Sequence, residues 1–402
     1  QQSERPLKNL LESVLANIYW EYFKQNRWKY YQRSRTPQPE NPENFTTWDA
    51  DAMFNATHHH FQNSLTNAVL LQNTKLESID DILIQADNSK KYRPTIYDFL
   101  IHNAIDFYST SESTITKPSN EFKVNNDKYF FEFEGLNIQD PDTLSPLRQA
   151  LILYQDLLKV HYLRRDTNAY VNVELERLNV IANESILEQS RNLHQQALTA
   201  LSDKFKSHPA SALVAFELAS ILNKEGGEYE PKKRTDNQFK KAEALSLCND
   251  AISKFADRDG AKKCESLKAL ILHQDLTIVA EKHIPVGTSS FISVRYTNVD
   301  SLYFKVFRIS TDLGKRLSSL QQNDSLLWAA ATALNIEQQW QIKLKDVRDY
   351  QSHTTEVVLP AMTTGRYVIL ASTDNHPSYT GQLFGYTNIQ VTNLAMLEFA
   401  SG

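Results

Sequence analysis

Two cysteines and eleven histidines are the most reactive side chains in this 402-residue chain. Cys248 and Cys264 lie close together and form an even pair. Such a pair favours one disulfide in an exported protein and two reduced core thiols in the cytosol. Three histidines are consecutive, His58-His59-His60. Neighbouring helical positions point about 100° apart, so the three rings cannot converge on one ion, and a solvated face with one packed imidazole is expected. His161, His194, His273 and His283 would each need a nucleophile and an acid nearby to act in hydrolysis. The Gly-x-Ser-x-Gly, His-Glu-x-x-His and phosphate-loop patterns are absent. The chain is therefore expected not to be an enzyme, with no catalytic, cofactor-binding or metal-ligating residue assigned.

A second chemistry to weigh is base stacking. Tyr19, Trp20, Tyr22, Phe23, Trp28, Tyr30 and Tyr31 interleave with Arg27, Lys29, Arg33 and Arg35, as a single-strand binding platform would. The net charge of −5 and pI of about 6.2 provide no basic field for a phosphate backbone. The helical spacing of the rings favours packing with snorkelling basic side chains, and no nucleic-acid partner is expected.

These residues are positioned by two kinds of element. Apolar residues first recur at three- and four-residue spacing, as in Leu7, Leu11, Val14, Ile18 and Tyr22, along one stripe of a helix. Near Leu272 the rhythm changes to alternation, as in Trp340-Gln341-Ile342-Lys343-Leu344-Lys345, which marks a half-buried strand. The expected class is α+β and multidomain: an all-α helical body, then an antiparallel β-sandwich of the immunoglobulin or fibronectin III kind. At 402 residues more than one domain is required. The divisions expected are a helical domain over 1–144 with a long irregular loop, helical hairpins over 145–272, a sandwich over 273–393 and the start of a further domain over 394–402. No apolar run approaches the ~20 residues of a membrane helix. A chain that begins at Gln1 is expected to have been processed or cut back, with any targeting segment outside it.

Within the body, helices are expected over Glu4–Tyr31, from Thr46 or Thr47 as cap through Leu65, and over Leu76–Ala86. Two more are expected over Thr95–Tyr108 and over Leu147–Leu163, the last with Ser145 capping and Pro146 at the first position. The prolines of Thr36–Pro42 break the chain. Thr110–Leu144 is rich in Ser, Asn, Asp and Pro, and its aromatic run Tyr129–Phe133 is expected as a short strand or a plug on the helices.

From Asn168 to Leu272 the spacing of Ala197, Leu201 and Pro209, and then of Ala215, Leu218, Ala219 and Leu222, resembles degenerate tetratricopeptide-type helix pairs. Gly226–Arg234 interrupts the period before Ala251 and Phe255 resume it. Cys248 falls in a helix ending near Phe255, and Cys264 opens the helix that returns after Asp257–Gly260. Antiparallel packing of that hairpin brings the two thiols toward the ~4.4–6.8 Å Cα separation of a disulfide. Strands are expected at Leu276–Ala280, Phe291–Thr297, Leu302–Ile309, Trp340–Leu344, Thr355–Leu359, Tyr367–Ser372 and Gly385–Val391. A helical insertion is expected over Asp312–Gln339.

Leu247–Phe255, Gly260–Cys264 and Val294–Arg308 resemble the amino-terminal region of the large α2-macroglobulin-like proteins of Bacteroidetes. Leu359-Pro360 with Gly365-Arg366-Tyr367-Val368 resembles the proline, glycine, tyrosine turn of macroglobulin-like domains, and Lys29–Tyr31 with Phe45–Asp49 fits the same family's leading helical part. The resemblance implies an exported protein of the periplasm or outer membrane whose full-length form traps a target protease. Many members acylate the attacker through a Cys-Gly-Glu-Gln thioester. Here Cys248 precedes Asn249 and Cys264 precedes Glu265-Ser266, so that chemistry is expected outside this chain. The expected function is a non-catalytic amino-terminal scaffold of such an inhibitor. The alternative is a glycan- or peptide-binding outer-membrane lipoprotein of the SusD type.

Overall fold

The structure is a computed structural model that describes residues 6–31, 44–84, 88–109, 122–131, 138, 145–320, 322–376 and 378–394. Its described residues form a helical body followed by a mostly antiparallel β region. They cluster into two compact units: one comprises 1–218 with 257–261, and the other 219–256 with 262–402.

The first unit opens with α1 (Leu7–Tyr31) packed along α2 (Ala50–Ser64). Asn9, buried in α1, donates to the carbonyls of Ser64 at 3.0 Å and Thr66 at 2.7 Å, tying the end of α2 to the start of α1. Asp49 caps α2 by accepting from Ala52 N at 2.9 Å, and Phe45–Thr47 is a separate 3-10 turn. The cap therefore falls on the aspartate and not on Thr46 or Thr47. After α3 (Ala68–Asn73), the expected helix Leu76–Ala86 is a 3-10 segment over Leu76–Ile82 with non-helical Ile79 inside, and its last residues lie outside the described set. Short α4 (Ser89–Tyr92) precedes α5 (Ile96–Tyr108).

Thr95 and Asp98 form a reciprocal capping box at the start of α5, satisfying two helix-end donors. A one-turn helix, α6 (Lys128–Phe131), stands where Tyr129–Phe133 suggested a strand or plug. The hairpin partners α7 (Pro146–Arg164), α8 (Thr167–Glu184) and α9 (Ser190–Lys204) then pack in sequence. Pro146 holds the first position of α7 as expected, but Ser145 makes no side-chain cap bond. Trp20, Phe23 and Tyr30 of α1 line a core with Met53, Phe61 and Phe107, in which Trp20 stacks on Phe23 at 5.4 Å. Those rings are buried, while Trp28 stays exposed with Lys29 over it. The loops 36–42 and 110–121 and the segment 395–399 lie outside the described residues.

Helix α10 (Ser211–Gly227) runs from the first unit into the second, so Gly226 and Gly227 end a helix where the sequence pointed to an insertion. In the second unit α11 (Lys240–Lys254) and α12 (Asp259–Ile271) form the cysteine-bearing hairpin. The turn 257–261 between them belongs to the first unit. There Asp259 accepts from Asn88 at 3.0 Å, Lys91 at 3.1 Å and Tyr92 at 2.5 Å.

The seven expected strands are present, as β1 (Asp275–Ala280), β3 (Ser290–Thr297), β4 (Ser301–Ile309), β5 (Ile336–Lys343), β6 (His353–Leu359), β7 (Gly365–Ser372) and β8 (Phe384–Val391). Two-residue β2 (His283–Ile284) was not foreseen, and it pairs parallel to β8, whereas the other described strand pairs of the two sheets are antiparallel. Sheet order is β1-β3-β6 in one sheet and β2-β8-β7-β4-β5 in the other. Ile278, Ile292 and Val294 from the first share a core with Phe304, Val306, Ile369 and Ile389 from the second.

The insertion comprises α13 (Thr311–Ser319) and α14 (Asp324–Thr332), and β5 begins at Ile336, earlier than the expected Trp340. Leu317, Leu327 and Trp328 cover Phe307, Val368 and Leu370 on the opposite face of the larger sheet. Both faces of β4 and β7 are thus buried, and their sequences read as near-continuous apolar runs.

Candidate functional site

Two polar constellations stand out, one in each unit. In the first unit, Asp98 accepts from Thr95 N at 2.8 Å and Thr95 Oγ1 at 2.7 Å through one carboxylate oxygen. Its other oxygen lies 2.8 Å from His161 Nε2 of α7. The Asp98 carbonyl lies 2.6 Å from His102 Nδ1, and His102 Nε2 is 3.2 Å from Glu176 of α8. Glu176 also accepts from Asn172 at 2.8 Å and sits 3.6 Å from Arg93. Burial alone would push the Asp98 and Glu176 carboxyls up, but the histidine contacts and hydrogen bonds outweigh it and hold both below the usual range. Burial raises Asp106 beside them.

An aspartate orienting a histidine is the supporting half of a hydrolytic triad. The side chains of His161 and Asp98 are only 2% and 1% exposed, so a substrate cannot reach them in this conformation. His161 Nδ1 is buried with no hydrogen-bond partner, and no hydroxyl or thiol nucleophile is bonded to it. The network ties α5, α7 and α8 together.

The other histidines singled out are dispersed. His58 Nδ1 meets the Tyr108 hydroxyl at 2.6 Å, His60 meets Glu12 at 2.7 Å, and His59 lies 3.1 Å from Asn63. Burial lowers His194 to about 4, which keeps it neutral near pH 7. His273 and His283 are exposed. Among the described residues no three metal-ligating side chains gather, and no helix is long and apolar enough to cross a membrane.

In the second unit, a shallow cup lies between the turn after β3 and the loop 345–351, lined by Tyr296, Asn298, Asp300, Arg348, Asp349 and His353 among others. Its volume of about 40 Å³ accommodates a few water molecules. Ligand pockets typically begin near ~300 Å³, so the cup is a joint and not a ligand cavity.

Asn298 sits in the left-handed region, which its short amide tolerates. It donates to the carbonyls of Ile271 and His273, both at 2.8 Å, and its own carbonyl accepts from Gln274 at 2.8 Å. The end of α12 is thereby clamped to the β3–β4 turn. On the other rim Arg348 and Tyr350 both have positive φ, 56° and 57°, a costly backbone for such residues that surrounding bonds must sustain.

Buried Asp349, between them, accepts from Gln238 at 3.0 Å and Gln351 N at 3.1 Å, and lies 2.8 Å from His353 Nε2. Gln351 donates to Gly226 O at 2.8 Å, and Lys241 to Tyr350 O at 3.3 Å. Burial would raise the Asp349 carboxyl, but those donors prevail and hold it low. Burial lowers Lys241, partly countered by Asp349.

Cys248 and Cys264 are buried free thiols in contact. The Cys264 S–H supports a thiolate on Cys248, so Cys248 is shifted down and Cys264 up. The one-turn helix α6 is anchored by Arg177, which donates to Tyr129 O at 2.5 Å while forking onto Glu174 at 2.6 and 2.7 Å.

Asp98, Glu174, Arg177, Asp349 and Gln351 were not singled out from sequence. Only Thr95-x-x-Asp98 carries a local signal, the capping box after Pro94.

No family model matches the chain, and no curated protein does. Among solved structures, the CARDB domain of a Pyrococcus furiosus protein in complex with di-metal ions aligns at 9% identity and TM-score 0.18, over 30% of this chain and 88% of that one. Domains 1–6 of the surface layer protein SbsC align at 12% identity and TM-score 0.16, over 95% of this chain and 46% of that one. Both scores are too low to support an argument about fold or function.

Proposed function

We propose that this chain is the non-catalytic amino-terminal scaffold of an α2-macroglobulin-like protease inhibitor of the cell envelope, with degenerate tetratricopeptide-like hairpins carrying a macroglobulin-like sandwich. One observation carries this reading: the β region is fastened to its own helices at two places, by Asn298 on the end of α12 and by the 345–351 loop on α10 and α11. A β-domain held this way has a defined orientation, as a protein presenting successive β-domains requires.

The Tyr367 hydroxyl donates to the Thr363 carbonyl at 2.9 Å, the tyrosine corner found in immunoglobulin-like sandwiches. Gly365 leaves room for it, since an added Cβ would lie 3.2 Å from the Tyr367 ring. Both support the sandwich type assigned by the resemblance. The buried Cys248–Cys264 pair is the disulfide of this proposal in an oxidising compartment.

The test compares this chain with the product of its complete reading frame, each incubated with a panel of endopeptidases. The complete product should block cleavage of protein substrates while sparing small chromogenic ones, and this chain alone should do neither. Stoichiometric inhibition by the isolated chain, or none by the complete product, would overturn the reading.

A further inference from the structure

The end of α10 and the start of α11 touch, and the chain between them makes an excursion that closes on itself. Gly226 is buried against Lys241, where an added Cβ would lie 2.6 Å from Lys241 Cγ and 3.1 Å from Lys241 N. Gln351 spans this neck by donating to Gly226 O at 2.8 Å and to Gln238 O at 3.3 Å. Asp349 accepts from Gln238 at 3.0 Å, and Lys241 donates to Tyr350 O at 3.3 Å. The 345–351 loop thus holds both sides of the neck, and the excursion is a surface loop whose ends meet, an Ω-loop.

Its tip is as open as its neck is closed. Residues 230–236 are the longest unbroken run of exposed residues among the described ones, and Lys232-Lys233-Arg234 is the only run of three basic residues in the chain. Pro231 takes the second position of a tight turn, in which Glu230 O accepts from Lys233 N at 3.1 Å and Arg234 N at 3.0 Å. Lys233 lies 3.4 Å from Glu230 and Arg234 lies 3.4 Å from Glu228. With side chains 80% and 58% exposed, the two cations are held weakly, as ion pairs open to water are.

We infer that this tip is a cleavage site for an endopeptidase selective for lysine and arginine, and that the two halves of the cut chain stay together. Such an enzyme carries a carboxylate at the base of its specificity pocket, which the long cationic side chain before the scissile bond reaches and pairs with. Lys232, Lys233 and Arg234 each present that side chain on exposed backbone. The turn's two backbone bonds are open to solvent and part locally, so the tip can extend into a cleft. Hydrolysis adds one water across the peptide bond, leaving a carboxylate on the basic residue and an amine on the residue after it. No bond of the neck is severed, since its partners lie at 226, 238, 241 and 349–351. Asp259, beyond the cut, also keeps its bonds to Asn88, Lys91 and Tyr92 before it. The cut depends on the loop and its neck alone, whether or not the inhibitor reading holds.

Limited digestion of the native chain with trypsin should yield two fragments that meet after Lys232, Lys233 or Arg234, identified by mass spectrometry. The nicked chain should elute as one species from a native sizing column and separate in denaturant. Replacing the three basic residues together (K232S, K233S and R234S) should slow this cut by about tenfold or more and leave the melting temperature of the uncut chain unchanged. Gln351→Ala should lower the melting temperature of the nicked chain more than that of the intact one, because the covalent loop no longer backs the neck. A loop that stays uncut when half of the native chain has been digested overturns the inference. So do fragments that part on the native column, a triple-serine variant cut at the unaltered rate, or a Gln351→Ala effect that is equal in nicked and intact chains.

Discussion

Gln351 Nε2 donates to the carbonyl of Gly226 at 2.8 Å, so a loop of the β region closes the end of helix α10 in the same compact unit. The loop that places Gln351 is costly in backbone terms, with Arg348 and Tyr350 both left-handed. It holds because Asp349 gathers donors from α11's approach, from its own loop and from β6.

Asp349→Ala should cost about 1–3 kcal/mol, since it leaves the Gln238 and Gln351 donors unpaired. Chemical denaturation of the chain measures the loss. A change below a few tenths would mean that solvent replaces the carboxylate freely and that the loop is not a fastening.

Acid should weaken the fold through Asp98, Glu176 and Asp349, whose carboxyls are all held low. A carboxylate with a depressed folded pKa binds protons less readily than it does in the unfolded chain. Its stabilisation is therefore complete above the ordinary carboxylate range near ~4 and is lost as pH falls through the folded value. The urea midpoint should fall below about pH 4, and Asp98→Asn should flatten that dependence. The same substitution should lower stability at neutral pH by about 1–3 kcal/mol, because it removes the buried carboxylate that accepts from Thr95 and faces His161 Nε2.

Gly260 approaches α10 so closely that an added Cβ would lie 2.3 Å from the Ala212 carbonyl carbon and 2.4 Å from Leu213 N. Backbone cannot yield as a flexible side chain does. Gly260→Ala should cost at least about 1–3 kcal/mol, whereas Gly227→Ala, where nothing lies within 4 Å, should be tolerated. Thermal melts of the two variants give the comparison.

Oxidation by glutathione disulfide should join Cys248 to Cys264 within one chain, with Cys248 as the attacking thiolate. Non-reducing peptide mass spectrometry should find the linked peptide and a melting temperature that falls on adding reductant. Two alkylatable thiols after exhaustive oxidation, in protein that remains folded, would rule the bond out.

The order of elements was legible because each follows from local periodicity: four-residue recurrence up to Leu272, alternation after it, and a Thr-x-x-Asp box at the head of α5. Strand positions were readable for the same reason, and only β2 escaped, being two residues long and held by its neighbour β8. The 3-10 form of Leu76–Ile82 was not legible, because a 3-10 run and an α-helix bury similar residues over two turns.

The sequence by itself determined composition, charge, helical and β halves and the apolar stripe from Leu7 to Ile18. Tertiary structure alone decided that this stripe faces solvent while Trp20 and Phe23 face the core. It likewise paired Asp98 with His161, Glu176 with His102 and Gln351 with Gly226. Periodicity records which residues share a face of one element. Which face meets which neighbour, and which distant donors a buried carboxylate finds, depends on packing between elements far apart in the chain.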